Sequence, residues 1–280
     1  MKGERLHQFQ NILYVTRGAG HETEGLKQAL SLARNNQAPL KAMILAPKLP
    51  DKMRDYSAKF EAGLIDGVRA EILKTAQSLN IPKDQIKLTV VCEVDQTPAT
   101  RIIQHVLKNN HDLVIKETES HDRKTGLKAL DMNLLRECPC PVWLCRPISR
   151  HRDEIKVAVA IDPQSEEDAA HDLSIRMLKL AQSLSEDCSG ELQVVSCWDY
   201  EYEGYLRHNP WVKVETGRID EAIYDAEQSH KQALANLITK ADIENKKHVV
   251  SSIRGKPEEE IPKLVEDHKV DILVMGTVAR

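Results

Sequence analysis

Two stretches of this chain follow one pattern, and together they decide its fold. Residues 97–115 read TPATRIIQHVLKNNHDLVI, and residues 256–274 read KPEEEIPKLVEDHKVDILV. In each stretch a proline precedes an aspartate by 14 positions, with an amphipathic helical pattern between them. An apolar, strand-like run follows each aspartate. We therefore infer that one helix–strand unit occurs twice in the chain.

The two stretches stay in register along their whole length. The matching positions are Ile102 and Ile261, Val106 and Val265, Asp112 and Asp271, and Val114 and Leu273. A common core pattern over 19 positions does not arise by chance between unrelated helix–strand units. The chain therefore contains an internal duplication. Both prolines stand where a helix tolerates proline, in its first turn.

Strand and helix patterns alternate on both sides of the duplicated stretches. Strands are predicted over residues 11–16, 40–46, 86–92, 112–116, 141–145, 155–161, 191–197, 248–253 and 270–275. Helices are predicted over residues 22–36, 62–79, 127–137, 166–184, 219–240 and 257–268, and around Ile102 to Leu107. This alternation, with near-continuous apolar strands, is typical of parallel sheets covered by helices on both faces.

The fold class that follows is α/β, with two tandem, doubly wound, Rossmann-like parallel-sheet domains. A polar segment that contains a proline and lacks periodicity separates the halves. We place domain 1 at residues 1–148, a linker at 149–154 and domain 2 at 155–280. The first half ends with a helix and a strand that have no counterpart before Arg280. Domain 2 is therefore predicted to be incomplete, and we expect the natural protein to continue.

The amino-acid composition of the chain indicates which classes of binding partner are not expected. The 280 residues carry a net charge of −4 and only 4% aromatic residues, so neither nucleic acid nor a membrane surface is an expected partner. The first seven residues lack the apolar core of a signal peptide, and no apolar run approaches the length of a membrane span. Six cysteines without regular spacing fit a reducing compartment. These features predict a cytoplasmic protein.

Four motifs resemble the universal stress protein domain. A strand runs into Asp162, and Gly255–Ile261 matches a Gly-Lys-Pro helix start. Asp271–Thr277 is close to a D-L-I-V-M-G-T strand, and Cys138–Trp143 contains a C-P-V segment. The tandem arrangement resembles the E group of bacterial universal stress proteins. This resemblance implies the adenine nucleotide α-hydrolase-like fold and a role in stress responses.

The resemblance also implies a nucleotide site in domain 2. In nucleotide-binding members of the family, the aspartate after the first strand meets the adenosine, and a glycine-containing loop holds the phosphates. The matching residues are Asp162, Gly276 and Thr277, which makes ATP the implied cofactor. Glycines let backbone N–H groups approach phosphate oxygens. Ala279 stands at the position of the second loop glycine.

Domain 1 has different residues at the same places. Arg17 corresponds to Asp162, and Glu117 corresponds to Gly276, so no nucleotide site is expected in domain 1. Seven charged or titratable residues are predicted to gather at its crevice: Arg17, Lys116, Glu117, His121, Asp122, Arg123 and Lys124. They form either a surface for an anionic ligand or partner, or a solvated rim around a lost site.

Several candidate residues have a structural explanation as well. Asp162 before Pro163 would start a turn and cap the helix that begins near Glu166. The cysteines Cys138, Cys140 and Cys145 have poor spacing for a metal, so a structural role is preferred. The histidines His111, His121 and His151 are expected in solvent. No spacing indicates a catalytic nucleophile or a metal site.

Two functions remain. The first is a non-enzymatic stress-response or regulatory protein, which acts by binding a protein partner or a small ligand. The second is an ATP-binding protein with its site in domain 2 and at most slow hydrolysis. A nucleotide-transferring enzyme is disfavoured because the chain lacks a Ser-Gly-Gly-x-Asp loop. The resemblance implies either a pseudo-symmetric tandem monomer or a homodimer.

Overall fold

The chain divides into two compact units, which are unit 1 over residues 1–148 and unit 2 over residues 149–280. The computed structural model describes residues 8–18, 23–83, 87–94, 97–118, 127–165, 167–209, 211, 213–243 and 245–276. No helix in these described ranges is both long and apolar enough to span a bilayer.

Unit 1 is one parallel sheet of five strands with connecting helices. Its strands are β1 (Ile12–Thr16), β2 (Leu40–Ala46), β3 (Leu88–Val94), β4 (Leu113–Glu117) and β5 (Val142–Cys145). Its helices are α1 (Thr23–Asn36), α2 (Ser57–Ser78), α3 (Pro98–Asn109) and α4 (Ala129–Glu137). The strand order is β3-β2-β1-β4-β5, so the winding direction reverses between β1 and β4. We call this boundary the switch point of unit 1.

Unit 2 repeats this plan with four strands in its described residues. The strands are β6 (Lys156–Ala160), β7 (Glu191–Trp198), β8 (His248–Arg254) and β9 (Ile272–Met275). The helices are α5 (Asp168–Cys188), α6 (Glu203–His208), α7 (Thr216–Lys240) and α8 (Pro257–Asp267). The order β8-β7-β6-β9 places the switch point of unit 2 between β6 and β9. The predicted fold class, with two parallel-sheet α/β units, is confirmed.

In the described parts of the chain, the sheet of unit 1 is covered more completely than the sheet of unit 2. In unit 1, helices α3 and α4 cover one sheet face, and Val114 of β4 is completely buried in a cluster with Leu130 and Leu134 of α4. The corresponding residue in unit 2, Leu273, is 36% exposed. Met275, on the same face, is 56% exposed. The second sheet therefore lacks, in its described residues, the cover that α4 gives the first.

The duplicated aspartates have one structural role in both units. The Oδ1 atom of Asp112 accepts a hydrogen bond from Asn11 N at 2.9 Å, and the Oδ2 atom of Asp271 accepts one from Lys156 N at 2.9 Å. In return, each aspartate N–H donates to the carbonyl of the same residue, at 3.1 Å in unit 1 and 2.9 Å in unit 2. We call this reciprocal pair of contacts the aspartate clamp. It ties the start of the first strand to the start of its switch-point neighbour.

A second donor reaches each clamp. Gln10 N donates to Asp112 Oδ2 at 2.6 Å, and Arg150 Nη1 donates to Asp271 Oδ2 at 2.9 Å. Both carboxylates thus accept two hydrogen bonds, which are stronger than bonds between neutral groups because the acceptor is charged. The clamp explains why the aspartate recurs at the same distance from the helix proline.

The predicted start of one helix was wrong, and one short helix was not predicted. Helix α2 begins five residues before the predicted start at residue 62, because its exposed first turns carry no apolar periodicity. Strand β3 begins at Leu88, and the predicted start, Ile86, lies outside the described residues. The short helix α6 was not predicted, since none of its residues is buried.

The prediction that His111 lies in solvent was also wrong. His111 is 5% exposed, its Nδ1 atom lies 3.2 Å from Asn11 O, and its ring stacks on that of His105 at 5.5 Å. The left-handed residue Asn110, with a φ of 53°, ends α3 and turns the chain directly toward β4, which brings His111 into the interior. Burial accordingly lowers the pKa of His111. His151 is exposed as predicted, and His121 lies outside the described residues.

Removing either clamp carboxylate should weaken its own unit. We expect Asp112→Ala to lower the free energy of unfolding of unit 1 by about 2 kcal/mol, because two backbone donors lose a charged acceptor. Asp271→Ala should do the same in unit 2. Urea denaturation followed by tryptophan fluorescence reports on unit 1 alone in a Trp198→Phe/Trp211→Phe background and on unit 2 alone in a Trp143→Phe background, since Trp143 lies in unit 1 and Trp198 and Trp211 lie in unit 2.

Asp66→Ala is the matched control, because this α2 carboxylate is 79% exposed. The control should shift stability by no more than about 0.5 kcal/mol. Equal effects of Asp112→Ala and Asp66→Ala would contradict a structural role for the clamp.

Candidate ligand site at the switch point of unit 2

The switch point of unit 2 brings two of the three predicted site residues close together. Strands β6 and β9 pair in parallel with Ala160 opposite Met275. Asp162 follows β6 by two residues, and Gly276 follows β9 directly, so both flank the carboxyl end of this strand pair. Open α/β sheets bind ligands in this crevice. Thr277, the third predicted residue, lies outside the described residues.

Asp162 is exposed and shapes the turn after β6. Its Oδ1 atom accepts a hydrogen bond from Gln164 N at 3.0 Å, which is an Asx turn. The expectation that Asp162 starts a turn is therefore confirmed. The expectation that it caps the next helix is wrong, because α5 begins at Asp168 with Glu167 in the N-cap position. The carboxylate remains in contact with solvent.

Gly276 packs closely against two side chains of α5. A Cβ atom at this position would lie 2.7 Å from Met177 Sδ and 2.8 Å from Leu173 Cδ2, well inside van der Waals contact. The missing side chain thus makes room for two apolar side chains of the helix. This steric role is independent of any phosphate, so the glycine by itself does not establish a nucleotide site.

A buried histidine lies behind the Asp162 turn. His230 of α7 is 1% exposed, and its Nδ1 atom lies 3.2 Å from Gln164 Oε1. The Trp198 ring centroid is 6.4 Å away. Burial lowers the pKa of His230, and the negative charge of Asp162 only partly opposes this effect. A neutral imidazole therefore supports the turn that carries the candidate carboxylate.

Charged residues extend the site along the carboxyl edge of the sheet. The Arg254 guanidinium lies 5.6 Å from the centre of the Trp198 ring and pairs with Glu203. A second arginine, Arg207, pairs with Glu203 at 2.8 Å and with Asp220 at 2.6 Å. This network holds the short helix α6 beside the ends of β7 and β8.

Sequence reasoning missed these surrounding residues. Trp198 and Arg254 are the last residues of β7 and β8, so the rule that ligands bind beyond the carboxyl ends of strands could have singled them out. His230 precedes Leu234 and Leu237 at helical spacing, and that spacing indicates a core position rather than a site.

The switch point of unit 1 is filled by the protein itself. The Oε1 atom of Glu117, at the end of β4, accepts a hydrogen bond from Gly25 N at 2.7 Å, in the first turn of α1. A Cβ atom on Gly25 would lie 2.4 Å from Glu117 Cγ, so only glycine admits this contact. An anion is stabilised at a helix amino terminus. Because Glu117 already supplies that anion, these residues do not fit a phosphate.

Lys116 does not join the predicted charged cluster at this crevice. Its Nζ atom pairs with Asp131 Oδ1 of α4 at 3.0 Å, and the two side chains are 6% and 0% exposed. Consecutive strand residues point to opposite faces, so Lys116 enters the α4 side while Glu117 meets α1. Arg17 is exposed, and residues 121–124 lie outside the described part. The predicted seven-residue cluster is therefore wrong for Lys116.

The geometry defines a class of protein with two doubly wound parallel sheets. In this chain the Glu117 side chain occupies the switch point of unit 1. A family model described as the universal stress protein family matches residues 8–146 and 156–280. The chain belongs to the universal stress protein family and carries two tandem copies of its domain.

Two relatives and one solved structure each match nearly the whole chain. Universal stress protein E of Photorhabdus laumondii is 26% identical over 283 residues, which span 97% of this chain and 86% of that protein. Universal stress protein E of Escherichia coli K12 is 28% identical over 97% of this chain and 85% of its own length. A solved structure of a functionally unknown protein from Pseudomonas aeruginosa PAO1 superposes with a TM-score of 0.70 at 20% identity, covering 98% of this chain and 84% of that chain.

Glu117 should contribute to the stability of unit 1 through its charge and its hydrogen bond. We expect Glu117→Ala to lower the free energy of unfolding by about 1 kcal/mol, as when a helix loses a cap. Glu117→Gln should lose less, because an amide oxygen still accepts from Gly25 N. The measurement is urea denaturation with Trp143 fluorescence, in a Trp198→Phe/Trp211→Phe background. An unchanged midpoint in Glu117→Ala would show that the contact is not stabilising.

Proposed function

We propose that this chain is a non-enzymatic stress-response protein that acts by binding, and that its ligand site is the switch point of unit 2. One comparison carries the proposal. At equivalent positions, unit 1 has the Glu117 carboxylate against the α1 amino terminus, and unit 2 has Gly276 beside an exposed Asp162. The switch point that no strand-end side chain fills is the one that an external ligand would use.

The first ligand to consider is an adenine nucleotide, with ATP as the form that the family resemblance implies. An exposed carboxylate at a switch point accepts hydrogen bonds from the hydroxyl groups of a ribose. Asp162 has this position, and its Asx turn holds the side chain in place. Any hydrolysis would be slow, so binding rather than turnover would be the biological output.

A second candidate is binding of a protein partner without a nucleotide. Asp162 and Gly276 each have a structural role within the chain, as a turn former and as a contact for α5. The segment between β7 and α7, with the first half of α7, exposes large aromatic side chains at Tyr202, Tyr205, Trp211 and Tyr224. Exposed tyrosine and tryptophan are typical of protein interfaces. This surface is the observation that favours a partner.

Location and assembly form part of the same proposal. We place the protein in the cytoplasm, as either a pseudo-symmetric tandem monomer or a homodimer, with no nucleic acid or membrane partner. The net charge of −4 supports this assignment because it offers no general attraction for polyanions.

Calorimetric titration of the full chain with Mg-ATP tests the ligand. We expect saturable binding at one site and at least a tenfold weaker affinity for Asp162→Ala, which corresponds to about 1.4 kcal/mol. Phosphate release measured on the same samples should stay near the buffer background.

Asp225→Ala is the matched control, since it removes another exposed carboxylate of unit 2, on α7. It should bind like the parent protein. Equal binding by Asp162→Ala would exclude the switch point as the site. Absence of binding for every adenine nucleotide would leave the partner-binding candidate as the function.

A further inference from the structure

The loop between α4 and β5 places two thiols next to each other. The Sγ atoms of Cys138 and Cys140 lie 3.7 Å apart, and both side chains are half-buried against the core of unit 1. Both ends of the loop are fixed, because Cys138 N donates to Leu134 O at 3.0 Å and Val114 N donates to Pro141 O at 3.0 Å. The short distance between the sulfurs therefore belongs to an anchored loop.

Cys138 differs chemically from the other five cysteines. The hydrogen bond between the two thiols lowers the pKa of Cys138 to about 7, whereas the same bond raises the pKa of Cys140. Burial raises the pKa of the remaining cysteines, which are Cys92, Cys145, Cys188 and Cys197. A thiol with a pKa near ambient pH is the most effective attacking group in thiol–disulfide exchange.

The surroundings favour a covalent bond between the sulfurs over a metal site. A structural zinc ion takes four protein ligands, and two thiolates would need further partners. Across the described ranges, no group of three or more His, Cys, Asp or Glu residues is placed to hold a metal ion. The pair therefore has the components of a disulfide but lacks those of a complete metal site.

We propose that Cys138 and Cys140 form a reversible dithiol–disulfide couple, which closes by exchange with a low-molecular-weight disulfide. The Cys138 thiolate attacks one sulfur of the small disulfide, whose S–S bond breaks and releases one thiolate. Cys140 then loses its proton and attacks Cys138 Sγ, and the second small thiol leaves. The small disulfide is reduced to two thiols while the protein dithiol is oxidised. The sulfurs approach from 3.7 Å to a bond of about 2.05 Å.

This inference concerns unit 1 and is independent of the proposed ligand site. Formation of the disulfide would alter the end of α4, because Cys138 directly follows Glu137 and its N–H is hydrogen-bonded to the Leu134 carbonyl. Leu134 is fully buried in the core cluster that α4 forms over β4. The couple would thus connect the redox state of the surroundings to the helix that covers the sheet of unit 1.

A redox titration of the full chain tests the proposal. The reduced protein is equilibrated in buffers with different ratios of reduced to oxidised glutathione, quenched with acid and alkylated. Mass spectrometry should show two alkylation sites lost together, with a two-electron dependence on the ratio. Chymotryptic cleavage after Trp143 separates Cys145 from the pair, so the bond can be assigned to Cys138 and Cys140.

Single variants distinguish the steps. Cys140→Ser should stop at the mixed disulfide on Cys138, and Cys138→Ser should form no internal bond. Cys197→Ser, which removes a half-buried cysteine of unit 2, should titrate like the parent protein. Retention of all six thiols over the whole series, or a bond that joins a different pair, would overturn the proposal. Because the parent protein alone gives this result, the test does not depend on the folding of any variant.

Discussion

A carboxylate at the start of the fourth strand sets the register of each sheet. Reciprocal hydrogen bonds join Asp112 to Asn11 in unit 1 and Asp271 to Lys156 in unit 2. Asn11 and Lys156 directly precede the first residues that pair between the two switch-point strands. In a parallel sheet, a slip of one residue sends every side chain to the opposite face. The clamp at the amino ends of the strands therefore determines which residues arrive at the carboxyl ends. In unit 1 these residues include Glu117, and in unit 2 they include Gly276.

At the two switch points, the large and small residues are exchanged between the strand end and the neighbouring helix. In unit 1 the strand end carries the large residue, Glu117, and the helix carries the small one, Gly25. In unit 2 the strand end carries Gly276, and the helix contributes Leu173 and Met177. Each arrangement is sterically complementary. The electrostatic results differ, because in unit 1 the residue at the strand end supplies a carboxylate to a helix amino terminus, whereas in unit 2 the residue at the strand end, Gly276, has no side chain that could do so. The asymmetry of function that we propose follows from this exchange.

Much of the fold could be predicted from the sequence, because the repeated helix–strand pattern reports local periodicity directly. Proline in the first turn of α3 and α8 and the apolar strands that follow had clear signals. Contacts between distant segments had no such signal. The burial of Lys116 depends on Asp131, which lies 15 positions further along and reaches it only through the placement of α4. The helix α6 was missed because ion pairs rather than buried apolar residues hold it.

The candidate site was predictable only in part. Asp162 and Gly276 were found through the family resemblance, and their in-chain roles emerged from three-dimensional contacts. His230 reads as a core residue because it occupies an apolar helix face, and its distance to Gln164 is invisible in the sequence. Periodicity in the sequence predicts helices and strands, whereas the chemistry of a switch point depends on which elements the sheet order brings together.

The most direct test of the asymmetry between the units is an amide NMR titration of the full chain with Mg-ATP. We expect the amide signals of Gly276 and Gln164 to shift saturably, while that of Gly25 stays in place because Glu117 continues to accept its hydrogen bond. A shift of Gly25 that follows the same binding curve, or a titration that moves neither Gly276 nor Gln164, would contradict a ligand site confined to the switch point of unit 2.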